Sequence, residues 1–408
     1  MKQEQLINLP IEWKRGNGLR KSDLEDDGKF KCILYGELYT KHKNALIESR
    51  DLSRTNKTGA FYSKKGDILV PGTSTASKKD MLLAREIDED GVILGGDINV
   101  IRPPKGLFAK KYLPYFFDTF SAYDQLDRYI TGATGIIHIS NTGLKKLKVP
   151  LPTYQEQQHI VSILDETFAA LAKAKANAEQ NLKNAKELFE SYLKTAFENK
   201  VHGEKFETLD SLCELIVDCE HKTAPTQETG YPSIRTPNIG KGELILENVN
   251  RVSYETYIQW TRRAIPKAGD LILAREAPAG NIAVIPENIE VCLGQRTVLL
   301  RPKKERLISK YLAYLILSKE VQEILLSHST GATVQHINMK DIRAFKIYNL
   351  SDLKEQISLV QKLDALKSET KKLETVYQKK IADLEELKKS ILQKAFAGEL
   401  KTEKAVAV

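Results

Sequence analysis

The 408-residue sequence is poor in the features that would settle its chemistry at once. It has four cysteines, Cys32, Cys213, Cys219 and Cys292, and no C-x-x-C pair. So sparse a set in a long chain predicts buried, reduced thiols rather than a disulfide framework. Cys213, Cys219 and His221 supply zinc-donor types without the usual paired spacing, and no metal is expected. No run approaches eighteen apolar residues and the first residues lack a signal-peptide core, so a membrane span is not expected and the cytoplasm is the expected location. The phosphate-binding G-x-x-x-x-G-K-[ST], the dinucleotide G-x-G-x-x-G, H-E-x-x-H and the nucleophile elbow are all missing. Catalysis by any of these routes is therefore not expected.

Two long stretches, residues 154–197 and 351–397, contain neither glycine nor proline. Each follows capping chemistry, Thr153 with Glu156 and Asp352 with Glu355, and each is followed by a glycine, Gly203 or Gly398, expected to mark its exit. Within the first, Leu164, Leu171, Ala178, Ala185 and Tyr192 recur every seven residues, with Val161, Phe168, Leu182, Phe189 and Ala196 beside them. In the second, Leu363, Tyr377, Leu384 and Ile391 keep the same spacing, interrupted by Thr370. A seven-residue repeat held this long predicts a coiled-coil seam. The alternative is two helices packed on separate cores. Connectivity makes the pair antiparallel with one domain at each end, and 44 residues at 1.5 Å each give a rod of roughly 66 Å.

The chain also repeats itself. "TGAT" stands at 131–134 and at 330–333, an offset of 199. At that offset Arg102-Pro103 lies over Arg301-Pro302, Lys111-Tyr112-Leu113 over Lys310-Tyr311-Leu312, "EQQHIVSILD" (156–165) over "EQISLVQKLD" (355–364), and "LKTAF" (193–197) over "LQKAF" (392–396). "KKGDILV" (64–70) and "KAGDLIL" (267–273) correspond at a slightly longer offset. The sequence is thus two tandem copies of one unit. The expected division is a first mixed domain (1–152), a helix (153–200), a second mixed domain (201–350), a helix (351–398) and a tail (399–408). Short apolar runs punctuated by turns predict α+β domains, each with a twisted, mainly antiparallel sheet.

Net charge is +8 with a sequence pI near 9.0, favouring a polyanionic partner. Residues 1–152 hold 25 Lys+Arg against 19 Asp+Glu, so six of the eight net charges lie there. The strands of the two copies agree while the segments after them diverge, "PGTSTASKKDMLL" (71–83) against "AREAPAGNIAVI" (274–285), as expected of a shared scaffold whose loops read different things. These loops carry side chains suited to phosphates and base edges. The candidates are Arg54, Asn56, Lys57, Ser74, Thr75, Lys78 and Lys79 in the first copy, and Lys222, Arg235, Asn238, Arg275 and Asn281 in the second. Arg275 and Asn281 are expected to read bases; Lys78 and Lys79, phosphates. The TGAT turns, with His138 and His336, are expected to close each domain onto its helix. Asp67 and Asp270, which begin equivalent strands, are expected to serve turns rather than metals.

The tandem arrangement, "GDIL", "TGAT", "VPLPTYQEQQHIVSILD" and the terminal "ILQKAFAGEL" closely resemble the specificity (S) subunits of type I restriction-modification enzymes, over essentially the whole chain. The resemblance implies that each mixed domain is a target recognition domain reading one half of a bipartite, asymmetric site in double-stranded DNA. It implies that the helices set the spacer and dock two modification (M) subunits, which carry S-adenosylmethionine and methylate adenine, and that restriction (R) subunits add ATP- and Mg-dependent cleavage. This chain would then bind no cofactor itself. The rival reading is a self-sufficient nuclease or methyltransferase with an unrecognised active site.

Overall fold

The computed structural model describes residues 2–59, 61–75, 77–132, 135–276, 278–327 and 336–400. The chain divides into two compact units, residues 1–178 with 379–408, and residues 179–378. Each therefore contains one mixed domain and parts of both long helices.

The two units share one sheet plan. In the first, a five-stranded sheet runs in the order Glu12–Arg15, Ile98–Arg102, Asp67–Pro71, Arg85–Ile87, Leu46–Ile47. In the second the order is Cys213–Asp218, Thr297–Pro302, Leu271–Ala274, Ile282–Val284, Gly242–Glu243. All pairings are antiparallel except the last in each. The inner strands, "DILVP" and "LILA", are buried throughout, which is why they read as apolar runs rather than as alternating patterns. A smaller three-stranded sheet accompanies each: Ser53–Thr55, Phe30–Ile33 and Ile93–Leu94 in the first, Arg251–Val252, Tyr231–Ile234 and Cys292–Leu293 in the second. The single sheet expected per domain is thus split into separate ladders.

Repeated polar pairs lock the plan. Asp67 accepts from the Lys64 amide at 2.8 Å and takes two hydrogen bonds from Arg102, both at 2.7 Å. Asp270 does the same with Lys267 (2.8 Å) and Arg301 (2.8 and 2.7 Å). The aspartates do serve turns, and each also neutralises an arginine against the sheet. Gln157 ties the first long helix down by accepting from the Ala109 amide at 2.9 Å; Gln356 does so for the second through the Ile308 amide at 2.9 Å. About two turns further along, Asp165 meets Lys111 at 2.7 Å and the Tyr115 hydroxyl, while Asp364 meets Lys310 at 2.7 Å and the Tyr314 hydroxyl at 2.6 Å.

The long helices span Tyr154–Phe197 and Leu353–Ala397. Thr153 and Glu156 form the expected reciprocal cap, with the Thr153 amide donating to Glu156 at 2.8 Å and the Glu156 amide to Thr153 at 3.3 Å. Asp352 accepts from the Glu355 amide at 2.9 Å. Gly398, at φ 82°, takes the left-handed position immediately after the second helix. Gly203 does not do this for the first, which ends at Phe197 and runs into a 3-10 turn, Glu198–Lys200.

Within the first unit the helices run antiparallel. Lys388 lies over the Phe168 ring at 4.9 Å and Lys175 pairs with Glu385 at 2.5 Å, so positions on one helix advance as those on the other retreat. Val161, Leu164 and Ala178 are buried, as are Ala185, Leu363 and Thr370; Phe168, Leu171, Leu182, Phe189, Tyr377, Leu384 and Ile391 are partly buried. Thr370 does not interrupt the seam. Its hydroxyl donates to the Leu366 and Lys367 carbonyls at 2.9 and 3.1 Å, and its methyl side can then be buried. Tyr192 departs from the expected seam: it is 38% exposed, and Leu193 is buried in its place. A straight α-helix drifts about 20° per heptad against a strict seven-residue repeat, so four heptads past Leu164 the buried stripe has moved to the neighbouring position.

The ends of the helices enter the cores. Ile160, Val161 and Leu164 of the first helix pack in the first unit together with Leu392, Ala395 and Phe396 of the second. Leu193 and Phe197 pack in the second unit with Val360 and Leu363. Phe396 meets Tyr112 and Phe116 at ring-centroid distances of 5.1 and 5.3 Å; Phe197, fully buried, meets Tyr311 at 5.2 Å. The repeated "LKTAF" and "LQKAF" segments are therefore plugs: each closes the unit in which the other helix begins. The helices thus pair with each other and pack on the cores as well.

Two outcomes follow from this packing. Phe396→Ala should cost the first unit about 3–5 kcal/mol, as expected for emptying a buried aromatic site. Urea denaturation with hydrogen exchange should place the loss in residues 1–178, and unchanged protection there would refute the plug. Burial also pushes the Glu86 carboxyl up from 4.5 to about 6, although the Lys111 amide donates to it at 2.6 Å. A raised folded-state value makes this contribution fully available below about pH 4.5 and lost as pH rises through 6. Glu86→Gln, which keeps an acceptor, should therefore stabilise the protein by about 2 kcal/mol at pH 8 and by almost nothing at pH 4. Thermal melts at the two pH values measure this, and an equal effect at both would contradict it.

Candidate nucleic-acid interface

The loops expected to meet DNA differ in what their side chains are free to do. In the first unit, Arg54 is the central residue of the strand Ser53–Thr55 and donates to the Gly28 carbonyl at 2.9 Å. Asn56 accepts from the Lys29 amide at 3.1 Å and donates to Glu25, while Lys57 pairs with Asp23 and holds that carboxyl below its ordinary range. These three residues brace residues 23–29. Ser74 is fully buried in a two-residue strand against Ile137. Lys78 pairs with Asp127 at 2.9 Å. Thr75 and Lys79 are exposed and enter no side-chain hydrogen bond or ion pair among the described residues.

In the second unit, the Asn238 side chain accepts from the Arg235 amide at 3.1 Å and donates to the Ile245 carbonyl at 3.2 Å, closing a turn. Asn281 donates to the Ile239 carbonyl at 2.9 Å. Arg275, expected to read bases, is only 7% exposed. Its guanidinium meets Asp218 at 2.6 Å, the Ile337 carbonyl at 2.9 Å and His336 Nε2 at 2.8 Å. The other nitrogen of His336 lies 2.7 Å from Glu276, which pairs with Arg296 at 2.9 Å. Arg275 and Asn281 are thus committed within the chain. Loops that carry few ladder bonds leave carbonyls and carboxylates needing donors, and the nearest long polar side chains supply them.

His138 and His336 do equivalent work, docking on the segment after the GDIL-type strand: His138 on Thr73 at 3.0 Å, His336 on Glu276. They close the domain onto its sheet, not onto its helix. Of the TGAT turns themselves, residues 133–134 and 330–333 lie outside the described residues.

The suggested zinc donors do not converge as a set. Cys213 opens the strand Cys213–Asp218, whereas Cys219 and His221 lie beyond its other end. Asp218, Cys219 and His221 do bring their ligand atoms within 4.8 Å of one another. Asp218 is already compensated by Arg275, and burial raises the Cys219 thiol, which opposes the thiolate a metal needs.

Lys222 and Arg235 are exposed, with side chains that have no partner among the described residues. Arg235 lines a concavity together with Thr223, Thr226, Ser233, Asn250 and Gln295. Asn250 and Gln295 escaped the sequence reading because neither lies in a basic or strongly diverged loop. The signal lay in the repeat: one residue after the glycine shared by the copies, Gly95 and Gly294, stands Gly96 in one and Gln295 in the other.

Removing the Arg275 side chain leaves Asp218 and His336 without their shared partner in a largely water-excluded place. Arg275→Ala should destabilise the second unit by about 3 kcal/mol, and Arg275→Lys should restore little, because one ammonium cannot meet three partners in a fork. Denaturation of the full chain measures this. A variant of wild-type stability that lost discrimination at a single base pair would return Arg275 to a reading role.

This duplicated, loop-diverged architecture has relatives. The family described as "Type I restriction modification DNA specificity domain" matches residues 1–182 and again 204–384. The chain is similar to the EcoBI specificity subunit of Escherichia coli, 22% identical over 87% of this chain and 80% of that protein. It is also similar to the EcoR124I/EcoR124II specificity subunit of Escherichia coli, 24% identical over 88% of each. Among solved structures, a chain from a study of complex assembly and conformational transition in a type I R-M system has the same fold, with a TM-score of 0.73 and 19% identity over 98% of both chains. The HsdS subunit from Thermoanaerobacter tengcongensis gives a TM-score of 0.61 and 19% identity, over 98% of this chain and 97% of that one. With two copies of the family's domain filling most of its length, the chain belongs to the type I restriction-modification DNA specificity family.

Proposed function

We propose that the chain is the specificity subunit of a type I restriction-modification complex, a non-catalytic DNA reader around which the enzymatic subunits assemble. The observation that carries this reading is the duplication of one scaffold with a shared framework and unlike loops, joined by two helices that each begin in one unit and end in the other. Each unit reads one half of a bipartite, asymmetric site in double-stranded DNA. The paired helices set the separation of the half-sites and dock two modification subunits, with restriction subunits joining them. The chain binds no cofactor of its own; S-adenosylmethionine, ATP and Mg belong to the partners. No helix among the described residues is long and apolar enough to cross a membrane.

Methylome sequencing of a host with and without the gene tests the reading. Loss of the gene should erase adenine methylation at one bipartite motif, and an unchanged methylome would reject it. A third strain, with seven residues inserted after Ala178 and seven after Gln378, keeps the helix pair in register and adds about 10 Å. That is roughly three base-pair steps of 3.4 Å. The unspecified gap should widen by that amount with both half-sites intact. Altered half-sites would show that the helices are no ruler.

A further inference from the structure

The copies can be matched residue by residue where their small sheets pair in parallel. Cys32 and Ile33 face Ile93 and Leu94 in the first unit; Ser233 and Ile234 face Cys292 and Leu293 in the second. The next residue on one strand is Leu34 or Arg235, and on the other Gly95 or Gly294. The glycine amide donates to the Ile33 carbonyl at 2.9 Å and to the Ile234 carbonyl at 2.8 Å. Neither glycine has room for a side chain: a Cβ on Gly95 would lie 2.6 Å from Leu34 Cδ2, and one on Gly294 would lie 2.5 Å from Arg235 Cγ. Two residues on, Asp97 (φ 61°) and Arg296 (φ 66°) make the same left-handed bend. Asp97 is held by Arg15 and Arg296 by Glu276. One framework thus presents two chemistries, Leu34 with Gly96 in the first unit and Arg235 with Gln295 in the second.

The second pair is prepared for a ligand. Close approach to Gly294 fixes the Arg235 stem, while its guanidinium, with five donors, has no partner among the described residues. Gln295 Nε2 donates to the His221 carbonyl at 3.2 Å. A carbonyl can accept only from the amide nitrogen, so the orientation of the amide is set, and one N–H and the Oε1 acceptor remain free. The Thr223 and Thr226 hydroxyls and the Asn250 amide line the same concavity without side-chain partners among the described residues, and no carboxylate lines it. An arginine fork matches O6 and N7 of guanine, and a carboxamide matches N6 and N7 of adenine, both on the major-groove edge.

We propose that Arg235 and Gln295 are specificity-determining residues of the second unit, reading purine edges of its half-site, and that Leu34 and Gly96 leave the first unit to read by other side chains. The proposal rests on the DNA-recognition reading above and adds to it the residues and the base class.

The test uses the full chain assembled with its modification subunits, binding a panel of single-base-pair variants of its site at several salt concentrations. Arg235→Leu with Gln295→Gly installs the first unit's residues on the matching framework of the second. Discrimination should fall about 10- to 100-fold at one or two purine positions of one half-site, with the other half-site untouched. Arg235→Lys keeps stem and charge but lacks the fork; it should lose the guanine preference while keeping the wild-type salt dependence, and it decides the matter should the double variant not fold. Unchanged discrimination in both variants overturns the proposal. So does a uniform loss over all sequences with a flatter salt dependence in the double variant, which would make Arg235 a phosphate contact. A wild-type complex that bound every sequence alike would instead remove the recognition reading itself.

Discussion

Everything else in this molecule depends on the exchange of helix ends between the two units. Phe396 closes a core whose other helical wall is Ile160, Val161 and Leu164, and Phe197 closes one whose other wall is Val360 and Leu363. Neither core is complete on a contiguous stretch of chain. The antiparallel run of the helices follows, since a helix that starts against one core and must end in the other has a single direction open to it. So does the mixture of seam residues. Small Ala178 and Ala185 are buried toward the middle of the first helix, while Leu164 and Phe197, both fully buried, lie toward its ends.

Around that exchange the duplicated framework is held by polar contacts whose geometry is nearly the same twice over. Asp67 with Arg102 and Asp270 with Arg301, Gln157 and Gln356, Asp165 and Asp364 occupy equivalent places with distances agreeing to about a tenth of an ångström. These contacts are directional, and those of Asp67, Asp270, Gln157 and Gln356 are buried, so they hold strands and helix bases more tightly than apolar packing alone would specify. A framework fixed in this way tolerates change at its rim. Leu34 and Arg235 differ in charge, polarity and exposure, yet the glycine and the left-handed bend beside them are unaltered.

Much of this was legible in the sequence, and the exceptions have physical causes. The repeat, the two helices, their caps and the GDIL-type strands could be read because local chemistry decides them: glycine- and proline-free stretches, Ser/Thr/Asp caps and buried apolar runs. Tyr192 was misplaced because a fixed seven-residue count ignores the drift of a real helix. Arg275 and Asn281 look like base readers by residue type, but their donors go to carbonyls and carboxylates brought near by distant strands, and no local pattern reports which groups those will be. Gln295 went unnoticed for the converse reason: it is an ordinary residue in a short turn, and only the fold places it beside Arg235. Residue type names what a side chain can do, while the fold decides whether it is free to do it.

A covalent duplication also explains how one scaffold can serve an asymmetric target. Two identical copies related by a two-fold axis would carry the same residue at both equivalent positions, and their site would share that symmetry. Joined in one chain, the copies diverge independently, so leucine can stand at one position and arginine at the other while the exchanged helix ends preserve the core of each unit. Each change at a rim position is then felt by one unit, because contacts that share no partner add nearly independently. Recognition can be revised one half-site at a time, with the helices and the other unit left as they were.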